Sequence, residues 1–478
     1  MASDKQETEI VVLGGGPGGY AAAFYAADRG RKVTLVEAEP KLGGVCLHRG
    51  CIPSKALLHA TRLIGEARAS AERGITFDEP RIDCSTLRQW KEDVVDQLAG
   101  GIGSLAEKRG VTVIRGRGYF QDAATLRIET EDGQQYLTFG KAIIATGSRP
   151  LLPEAFDLGS SRILTSREAL ELETLPDRLL VIGGGYIGLE LGTVYARLGT
   201  KVTLVEAEDT LMPGTDPDLV SVVHQAVADL FQAIHLNTEV ADLATSGESL
   251  KASLSHHSDD ADGDPETEEL FFDQVLVAVG RRPNSENIGL ENTGVETDES
   301  GFIVSDAANR TGEPSLYVIG DVAGGDMLAH KATREAHRTV DALCGDPPDT
   351  EPLLVPAVVF TEPAMAWVGM GEQEAREAGF SLKVARFDWR ASGRALSIGA
   401  GNGLTKLIID EDTDRILGVL MVGQDAGELI AEATLAIELA ATVGDLAETI
   451  HAHPTLSETL KECAESFFGI APHSLGAP

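Results

Sequence analysis

Residues 10–39 read IVVLGGGPGGYAAAFYAADRGRKVTLVEAE, and residues 179–208 read LLVIGGGYIGLELGTVYARLGTKVTLVEAE. The two stretches align without a gap at an offset of 169 residues, which is the difference between Gly183 and Gly14. Each has an apolar strand pattern, a Gly-rich turn, a helix of small and apolar residues, and a second apolar strand that ends in glutamate. The chain therefore contains one βαβ unit twice.

Both turns have the pattern G-x-G-x-x-G, which binds the pyrophosphate of a dinucleotide in such units. The first glycine allows a tight turn, the second lets the backbone approach the phosphates, and the third lets the helix pack on the strand. The phosphates then lie at a helix N-terminus, where free N–H groups favour anions. A single motif could be an ordinary Gly-rich turn, but the complete unit occurs twice, so we expect two bound dinucleotides. The expected pyrophosphate-binding glycines are Gly14, Gly16 and Gly19 in the first unit, and Gly183, Gly185 and Gly188 in the second.

The glutamates that end the two units, Glu37 and Glu206, are placed to bind ribose hydroxyl groups. Glu206 would repel the 2′-phosphate of NADP, and the following residues, AEDTLMPGTDPD, contain no arginine to bind one. The second unit is therefore predicted to bind NAD rather than NADP.

Length and composition limit the kind of protein and its partners. The 478 residues predict about three domains, and 40 basic against 75 acidic residues give a net charge of −35. Such acidity argues against nucleic acid and anionic membranes as partners. No apolar run approaches the ~20 residues of a membrane span, and the N-terminal MASDKQETEI resembles neither a signal nor a transit peptide, so we predict a cytoplasmic location. The charge is typical of either an acidic bacterial protein or a surface adapted to molar salt, and we favour the second, halophilic interpretation.

The stretch GGVCLHRGCIPSKALL, residues 43–58, contains two of the five cysteines, Cys46 and Cys51. A metal site normally needs three or four ligands, and no second pair with suitable spacing accompanies this one. A structural disulfide would close only a short loop, so redox chemistry is the favoured interpretation. Residues five apart in a regular helix rise roughly 7.5 Å, too far for a disulfide, so we expect a bend at Gly50. Cys51 would then begin the next helix, whose dipole stabilises a thiolate.

Other segments have the patterns of strands, turns, a loop and a helix. KAIIATGSRP (141–150) and SLYVIGDVAGG (315–325) are apolar strand patterns that end in turns, and the second contains Asp321. Residues 246–269 are polar and acidic and are predicted to form a solvated hairpin loop that includes the His256-His257 pair. After about residue 350, VPAVVFTEPAMAWVG, RALSIGAGNGLTKLIID and RILGVLMVG read as strands, and GELIAEATLAIELAATV as an amphipathic helix.

The final motif, HAHPTLSETLKECAESFF (451–468), combines a histidine with a nearby carboxylate. Pro454 suits the first turn of a helix, which would place His453 just before that helix and Glu458 in its early turns. A histidine held by a carboxylate keeps one tautomer and is a stronger base.

Taken together, these features resemble the flavoprotein disulfide reductases, and GGVCLHRGCIPSKALL is similar to the redox-disulfide helix of the dihydrolipoamide dehydrogenase family. The resemblance covers nearly the whole chain. It implies an α/β fold with two Rossmann-like dinucleotide-binding domains, for FAD and NAD, and a C-terminal α+β dimerisation domain. The expected ranges are 1–150 for the first part of the FAD domain with the redox disulfide, 151–280 for the NAD domain, 281–350 for the completion of the FAD domain, and 351–478 for the dimer-interface domain.

The same resemblance assigns roles to individual residues. Cys46 is expected to be the interchange thiol facing substrate, and Cys51 the thiol against the flavin. Lys55 is expected near the reactive nitrogen of the flavin, paired with Glu190. The dyad of His453 and Glu458 is expected to come from the other subunit of a homodimer. The residues expected to bind FAD are Gly14, Gly16, Gly19, Glu37, Lys55, Gly147 and Asp321. The residues expected to bind NAD are Gly183, Gly185, Gly188, Glu206 and Gly280. No metal site is expected.

The implied reaction is oxidation of a dihydrolipoyl group, carried by a lipoylated protein or lipoyl domain, with reduction of NAD⁺. A glutathione-type reductase is disfavoured because it would need NADPH. The alternatives are an NADH-dependent reductase of another disulfide and a non-catalytic flavoprotein subunit. His48 and Arg49 depart from the smaller, neutral residues expected between the cysteines, which leaves open the potential of the disulfide and the entrance for substrate. His451 is given a supporting role or none.

Overall fold

In the computed structural model, which describes residues 6–256 and 266–474, the two βαβ units form the centres of two separate parallel sheets. The strands of the two units pair in the same register. Leu13 pairs with Val36, and, 169 residues later, Ile182 pairs with Val205. The predicted α/β fold with two dinucleotide-binding units and a C-terminal α+β unit is therefore confirmed.

The first sheet has seven strands in the order β3-β2-β1-β6-β5-β4, with a further strand, described below, beside β6. Its central strands are parallel, and residues 10–13 of β1 and all of β2 are buried, as expected for strands covered on both faces. The elements of this part are β1 (Gln6–Leu13), α1 (Pro17–Asp28), β2 (Val33–Glu37), α2 (Gly44–Arg49), α3 (Cys51–Ala69), α4 (Cys84–Lys108), β3 (Thr112–Arg115), β4 (Arg117–Asp122), β5 (Thr125–Thr130), β6 (Gly133–Ile144) and β7 (Ser148–Pro150).

The second part contains a parallel five-stranded sheet in the order β11-β10-β9-β15-β8 and a three-stranded antiparallel sheet in the order β12-β13-β14. Its elements are β8 (Ile163–Leu164), α5 (Ser166–Glu171), β9 (Arg178–Ile182), α6 (Tyr186–Arg197), β10 (Lys201–Val205), α7 (Pro217–Ala228), β11 (Ala233–His235), β12 (Thr238–Ser246), β13 (Ser249–His256), β14 (Glu266–Phe272), β15 (Gln274–Val277) and β16 (Arg281–Pro283).

The third part first completes the first sheet and then forms an antiparallel sheet of its own, in the order β18-β19-β22-β21-β20. No helix among the described residues is long and apolar enough to cross a membrane. The elements are β17 (Leu316–Val318), α8 (Ala329–Leu343), β18 (Ala357–Val359), β19 (Ala364–Gly369), α9 (Glu372–Glu377), β20 (Leu382–Asp388), α10 (Gly393–Ser397), β21 (Leu404–Asp410), β22 (Ile416–Gly423), α11 (Ala426–Glu438), α12 (Val443–Glu448) and α13 (Glu458–Phe467).

Two crossings of the chain connect the first two parts. The chain leaves the first sheet through β7 and returns through β16, and these two short strands pair antiparallel. Further along, β17 pairs in parallel with β6, so the first sheet is completed by residues that follow the second part. The second dinucleotide-binding unit is thus inserted into the first, and the carboxyl ends of the first sheet lie beside the second part.

The prediction of a loop over residues 246–269 is wrong for most of the residues that the structure describes in this range. Residues 249–256 form β13 and residues 266–272 form β14, which pair antiparallel from Leu250 with Phe272 to His256 with Glu266. The polar composition conceals an alternating pattern, in which Leu250, Ala252 and Leu254 point into the core while their neighbours face outward. His256 accordingly ends a strand, and His257 lies outside the described residues.

Two predictions in the C-terminal part also need correction. The stretch 394–410 is not one strand, because α10 occupies Gly393–Ser397, with the Ser392 side chain accepting a hydrogen bond from the Ala395 N–H, and β21 begins only at Leu404. Pro454 does not lie in the first turn of a helix, since α13 begins at Glu458.

Candidate active site

A cavity of about 660 Å³ opens at the carboxyl ends of the first sheet and extends along α2 and α3 to α6. Ligand sites of open α/β sheets lie at this end of the strands. The cavity brings together nine of the predicted residues, which are Gly14, Gly16, Glu37, Cys46, Cys51, Lys55, Gly147, Glu190 and Asp321. Gly19 does not line the cavity, and neither do the predicted NAD-binding residues Gly183, Gly185, Gly188, Glu206 and Gly280.

The glycines of the two turns differ in the space around them. A Cβ atom on the second glycine would meet no atom closer than 3.9 Å at Gly16, and none within 4 Å at Gly185. A Cβ on the third glycine would lie 1.8 Å from a backbone oxygen at Gly19 and 2.1 Å from one at Gly188. The second glycines therefore leave the backbone open to a phosphate, and the third allow close packing of the helix on the turn.

The two glutamates predicted to bind ribose are held in the same way. In each unit one carboxylate oxygen accepts a hydrogen bond from the middle of the Gly-rich turn, and the other accepts one from the backbone two residues further on. The distances are 2.5 Å from Gly15 N and 2.8 Å from Glu39 N for Glu37, and 2.6 Å from Gly184 N and 3.0 Å from Glu208 N for Glu206. Both carboxylates are thus fixed beside their Gly-rich turns.

The two cysteines lie on either side of a break between helices. Helix α2 carries Cys46 and ends at Arg49, Gly50 leaves the helical conformation, and α3 begins at Cys51. The expected bend at Gly50 is present. A Cβ on Gly50 would lie 3.0 Å from the carbonyl oxygen of Val45, so the bend is closely packed.

Both cysteines are free thiols in this structure, and they interact directly. A hydrogen bond from Cys46 lowers the pKa of Cys51 to about 7; the Lys55 ammonium also lowers it, while burial and the Glu190 carboxylate act in the opposite direction. The same hydrogen bond, together with burial, raises the pKa of the Cys46 thiol. The N-terminus of α3 and the Lys55 ammonium both favour Cys51 as the thiolate of the pair.

Lys55 and Glu190 form an ion pair across the boundary between the first and second parts. The Lys55 Nζ atom lies 2.8 Å and 3.1 Å from the two carboxylate oxygens of Glu190, and 4.5 Å from the ring centroid of Phe360. Glu190 is only 3% exposed and also accepts a hydrogen bond from the Phe360 N–H. This pair fixes the Lys55 ammonium in the cavity that contains both cysteines.

His453 and Glu458 form the hydrogen-bonded pair expected from the sequence. The His453 Nδ1 atom lies 2.9 Å from one Glu458 oxygen, and the other oxygen accepts a 2.8 Å hydrogen bond from the Thr455 N–H. Partial burial opposes ionisation of Glu458, but these hydrogen bonds outweigh it and lower its pKa. The pair does not line the 660 Å³ cavity, and the His453 side chain is 74% exposed.

The neighbouring His451 is held differently. Its Nε2 atom lies 2.7 Å from Glu432, and its Nδ1 atom lies 3.0 Å from the Thr449 carbonyl oxygen. The side chain is 5% exposed. His451 therefore anchors the segment before His453 to α11.

The two unusual residues between the cysteines connect α2 to the preceding loop. His48 donates from Nε2 to the carbonyl oxygen of Leu42 at 2.9 Å, because a carbonyl can only accept. Arg49 donates to Glu39 at 2.8 Å and lines the cavity. Both side chains are thus engaged with residues 39–42.

Sequence reasoning missed three cavity residues, Ser148, Tyr186 and Arg281. Arg281 donates from Nε to Ser148 Oγ at 2.8 Å, and Ser148 in turn donates to Asp321, which fixes that carboxylate in the cavity. The similarity of ATGSRP (145–150) to AVGRRP (278–283), the segments that pair as β7 and β16, could have revealed Ser148 and Arg281. Tyr186 directly follows Gly185 in the second turn, and burial raises its pKa.

Comparison with known proteins agrees with this architecture. Residues 8–336 match the family described as pyridine nucleotide-disulphide oxidoreductase, and residues 355–464 match its dimerisation domain. The chain is 43% identical to the dihydrolipoyl dehydrogenase of Vibrio cholerae, with 98% of this chain and 97% of that protein covered. It is 42% identical to the dihydrolipoyl dehydrogenase of Haloferax volcanii, with 98% of both chains covered.

Solved structures show the same fold. The HOCl-induced flavoprotein disulfide reductase RclA of Escherichia coli superposes with a TM-score of 0.84 at 28% identity, over 96% of this chain and 99% of that one. The similarity therefore extends over both dinucleotide-binding units and the C-terminal part. This chain belongs to the pyridine nucleotide-disulphide oxidoreductase family, among oxidoreductases that use FAD and NAD and include the dihydrolipoyl dehydrogenases.

Proposed function

We propose that this protein oxidises protein-bound dihydrolipoyl groups to lipoyl groups and reduces NAD⁺ to NADH. The observation that carries the proposal is the pair Cys46 and Cys51, which lie on either side of the break at Gly50 and line the predicted FAD cavity beside Lys55. The full-length similarity to proteins named dihydrolipoyl dehydrogenase supports the choice of substrate.

The proposed chemistry begins with the cysteines as a disulfide. One substrate thiol, after losing its proton to His453, attacks Cys46 Sγ, the Cys46–Cys51 bond breaks, and Cys51 leaves as a thiolate. The second substrate thiol then attacks the substrate sulfur of this mixed disulfide, the bond to Cys46 breaks, and Cys46 leaves with the proton of the second thiol. The substrate leaves as a cyclic disulfide, and both cysteines are reduced. The low pKa of Cys51 favours it as the leaving group, because a more acidic thiol leaves faster.

FAD, when bound, would supply the two-electron chemistry that links oxidation of the reduced cysteines to hydride transfer to NAD⁺. We propose that Gly14, Gly16, Gly19, Glu37, Gly147 and Asp321 hold FAD, and that Gly183, Gly185, Gly188, Glu206 and Gly280 hold NAD. Lys55, fixed by Glu190, would place a positive charge beside Cys51 and stabilise its thiolate. We also propose the domain ranges 1–150, 151–280, 281–350 and 351–478. The pairing of β17 with β6 supports assigning residues 281–350 to the FAD domain.

We propose that His453 and Glu458 act on the cysteines of the partner subunit. The match to the dimerisation domain supports a homodimer, and the pair lies within the matched residues. Large apolar side chains are exposed close to this pair along the chain, with Leu435 60%, Leu439 72% and Ile450 95% exposed. An apolar face of this kind is typical of a protein interface and would bring an exposed His453 to a second copy.

The test is turnover by the purified, FAD-loaded protein. NADH formation should follow addition of dihydrolipoamide, and of a lipoylated domain in its reduced form, with NADP⁺ a poor replacement for NAD⁺. Absence of turnover with either lipoyl compound, together with rapid NADH oxidation by another disulfide such as glutathione disulfide, would favour the alternative reductase.

We further propose a cytoplasmic location and a surface adapted to high salt. The net charge of −35 supports the second, because concentrated salt screens the self-repulsion that such a charge causes in dilute buffer. Activity and melting temperature should both fall when molar KCl is diluted away. Equal stability in dilute buffer and in molar KCl would contradict this part of the proposal.

A further inference from the structure

Three potential metal ligands meet at the edge of the second parallel sheet. His235 ends the edge strand β11, His256 ends β13, and Glu268 lies on β14. One ligand atom from each lies within 4.8 Å of the other two. None of the three lines the 660 Å³ cavity, and the cluster requires neither the cysteines nor the predicted cofactors.

The hydrogen bonds of Thr238 determine which nitrogen of His256 is free. The single hydroxyl proton of Thr238 is donated to the Leu236 carbonyl oxygen at 2.8 Å. In its 3.0 Å contact with His256 Nδ1 the hydroxyl must therefore accept, so Nδ1 carries the proton. In the neutral ring the lone pair then belongs to Nε2, which lies 3.7 Å from a carboxylate oxygen of Glu268.

This arrangement places two electron-pair donors opposite each other. At 3.7 Å the His256 nitrogen and the Glu268 oxygen are too far apart for a good hydrogen bond, and neither has a proton to share when the ring is neutral. A positive charge between them would remove the repulsion. A divalent metal ion supplies that charge and binds both lone pairs.

His235 provides the third ligand. Its ring centroid lies 5.5 Å from that of His256, and within the described parts of the chain no hydrogen bond occupies either of its ring nitrogens.

We propose that His235, His256 and Glu268 bind one divalent transition-metal ion, for which Zn²⁺ fits the ligands best. Two imidazoles and a carboxylate, with water in the fourth position, form a common tetrahedral zinc set. Ligands about 2.1 Å from a tetrahedral ion lie roughly 3.5 Å apart, so the set must contract slightly. Glu268 is exposed and free to rotate inward, while Thr238 holds His256 in the binding tautomer.

The site would connect the hairpin of β13 and β14 to the strand beside the predicted NAD site. The His235 carbonyl oxygen accepts a 2.8 Å hydrogen bond from the Glu206 N–H, and the Thr238 N–H donates to the Glu206 carbonyl oxygen at 3.0 Å. A bound ion would therefore tie β13 and β14 to the backbone that positions Glu206.

The test uses the untagged, FAD-loaded protein in its oxidised form, so that Cys46 and Cys51 cannot bind the ion as thiols. After treatment with EDTA and desalting, calorimetric titration with ZnCl₂ should show about one site per chain. The variants His256→Ala and Glu268→Gln should each weaken this binding at least tenfold, and Thr238→Val should weaken it about 10–100-fold. Glu269→Gln removes the same charge from the next residue, which pairs with Lys251 instead, and should bind zinc like the unaltered protein.

A second readout follows the backbone. Zinc should slow amide hydrogen exchange in residues 249–256 and 266–272 of the unaltered protein and of Glu269→Gln, but not of His256→Ala. Failure to bind zinc, or equal binding by the unaltered protein and by His256→Ala, would overturn the site. Because the readouts are binding and exchange, either result leaves the test of lipoyl turnover unaffected.

Discussion

Removing the charge of Lys55 and removing the charge of Glu190 should shift, in opposite directions, the pH at which the reduced cysteine pair loses its first proton. In the structure the Lys55 ammonium lowers the pKa of Cys51 and the Glu190 carboxylate raises it, around a value of about 7. Lys55→Gln should therefore raise the pH at which the Cys51 thiolate forms, and Glu190→Gln should lower it. The measured midpoint belongs to the coupled pair of thiols, but the sign of each shift is set by the charge that is removed.

The size of the shift follows from the surroundings of the two groups. An opposite charge close to an ionising group typically shifts its pKa by about 1–3 units. The Lys55 side chain is 30% exposed, which places the expected shift at the lower end because solvent screens the charge. We expect Lys55→Gln to raise the midpoint by about one unit, equivalent to ~1.4 kcal/mol. Glu190→Gln should lower it by less, since the carboxylate is the weaker influence on Cys51.

The assay is a pH titration of the two-electron-reduced protein, followed by the long-wavelength absorbance of the thiolate next to the flavin. Lys41→Gln is the matched control, because it removes the same charge from a residue that pairs with Asp96 outside the cavity. Its midpoint should stay at that of the unaltered protein. Shifts of the same sign in Lys55→Gln and Glu190→Gln would refute the electrostatic reasoning.

Three further predictions concern the other site residues. Cys51→Ser should abolish the long-wavelength thiolate band while Cys46→Ser retains it, and both should lose NADH formation; a band that survives in Cys51→Ser would reverse the two assignments. Glu458→Gln should lower kcat for dihydrolipoamide roughly 10²-fold or more by weakening His453 as a base. The control Glu432→Gln changes only the partner of His451 and should have a much smaller effect on kcat. Equal losses of kcat would show that the two pairs are not functionally distinct. Glu206→Ala should reduce the preference for NAD⁺ over NADP⁺ in kcat/KM by removing the charge that repels a 2′-phosphate; an unchanged ratio would place the discrimination elsewhere.

The features that were predictable from the sequence are those determined by local chain geometry. The two Gly-rich turns require glycine for steric reasons, so Gly14, Gly19, Gly183 and Gly188 appear in the sequence as a spaced pattern. The bend between Cys46 and Cys51 follows from helix dimensions and from the presence of Gly50. In these cases a few neighbouring residues determine the structure.

The features that sequence reasoning missed depend on contacts between distant segments. Arg281 reaches Asp321 through Ser148 only because β7 and β16 pair where the chain crosses between the two parts. The strand β13 was concealed by its polar outward face, although the inward residues Leu250, Ala252 and Leu254 alternate with it regularly. The cluster of His235, His256 and Glu268 arises from three strands and has no common motif in the sequence.

The beginning of α13 shows a different difficulty. Proline suits the first turn of a helix, but Thr455 uses its N–H and hydroxyl to hold Glu458 and the Ala452 carbonyl oxygen, which keeps residues 452–455 out of the helix. The contact between His453 and Glu458 was nevertheless predicted correctly, since both remain at the same end of α13.

The central claim is that Cys46 and Cys51 accept the electrons of a dihydrolipoyl dithiol. The most direct measurement adds one equivalent of dihydrolipoamide to the oxidised, FAD-loaded protein without oxygen or NAD⁺, followed by brief alkylation and peptide mass spectrometry. We expect the cysteine pair to be alkylated after the substrate is added, and neither Cys46 nor Cys51 to be alkylated before it. A protein in which dihydrolipoamide leaves both Cys46 and Cys51 unmodified would contradict the proposed function.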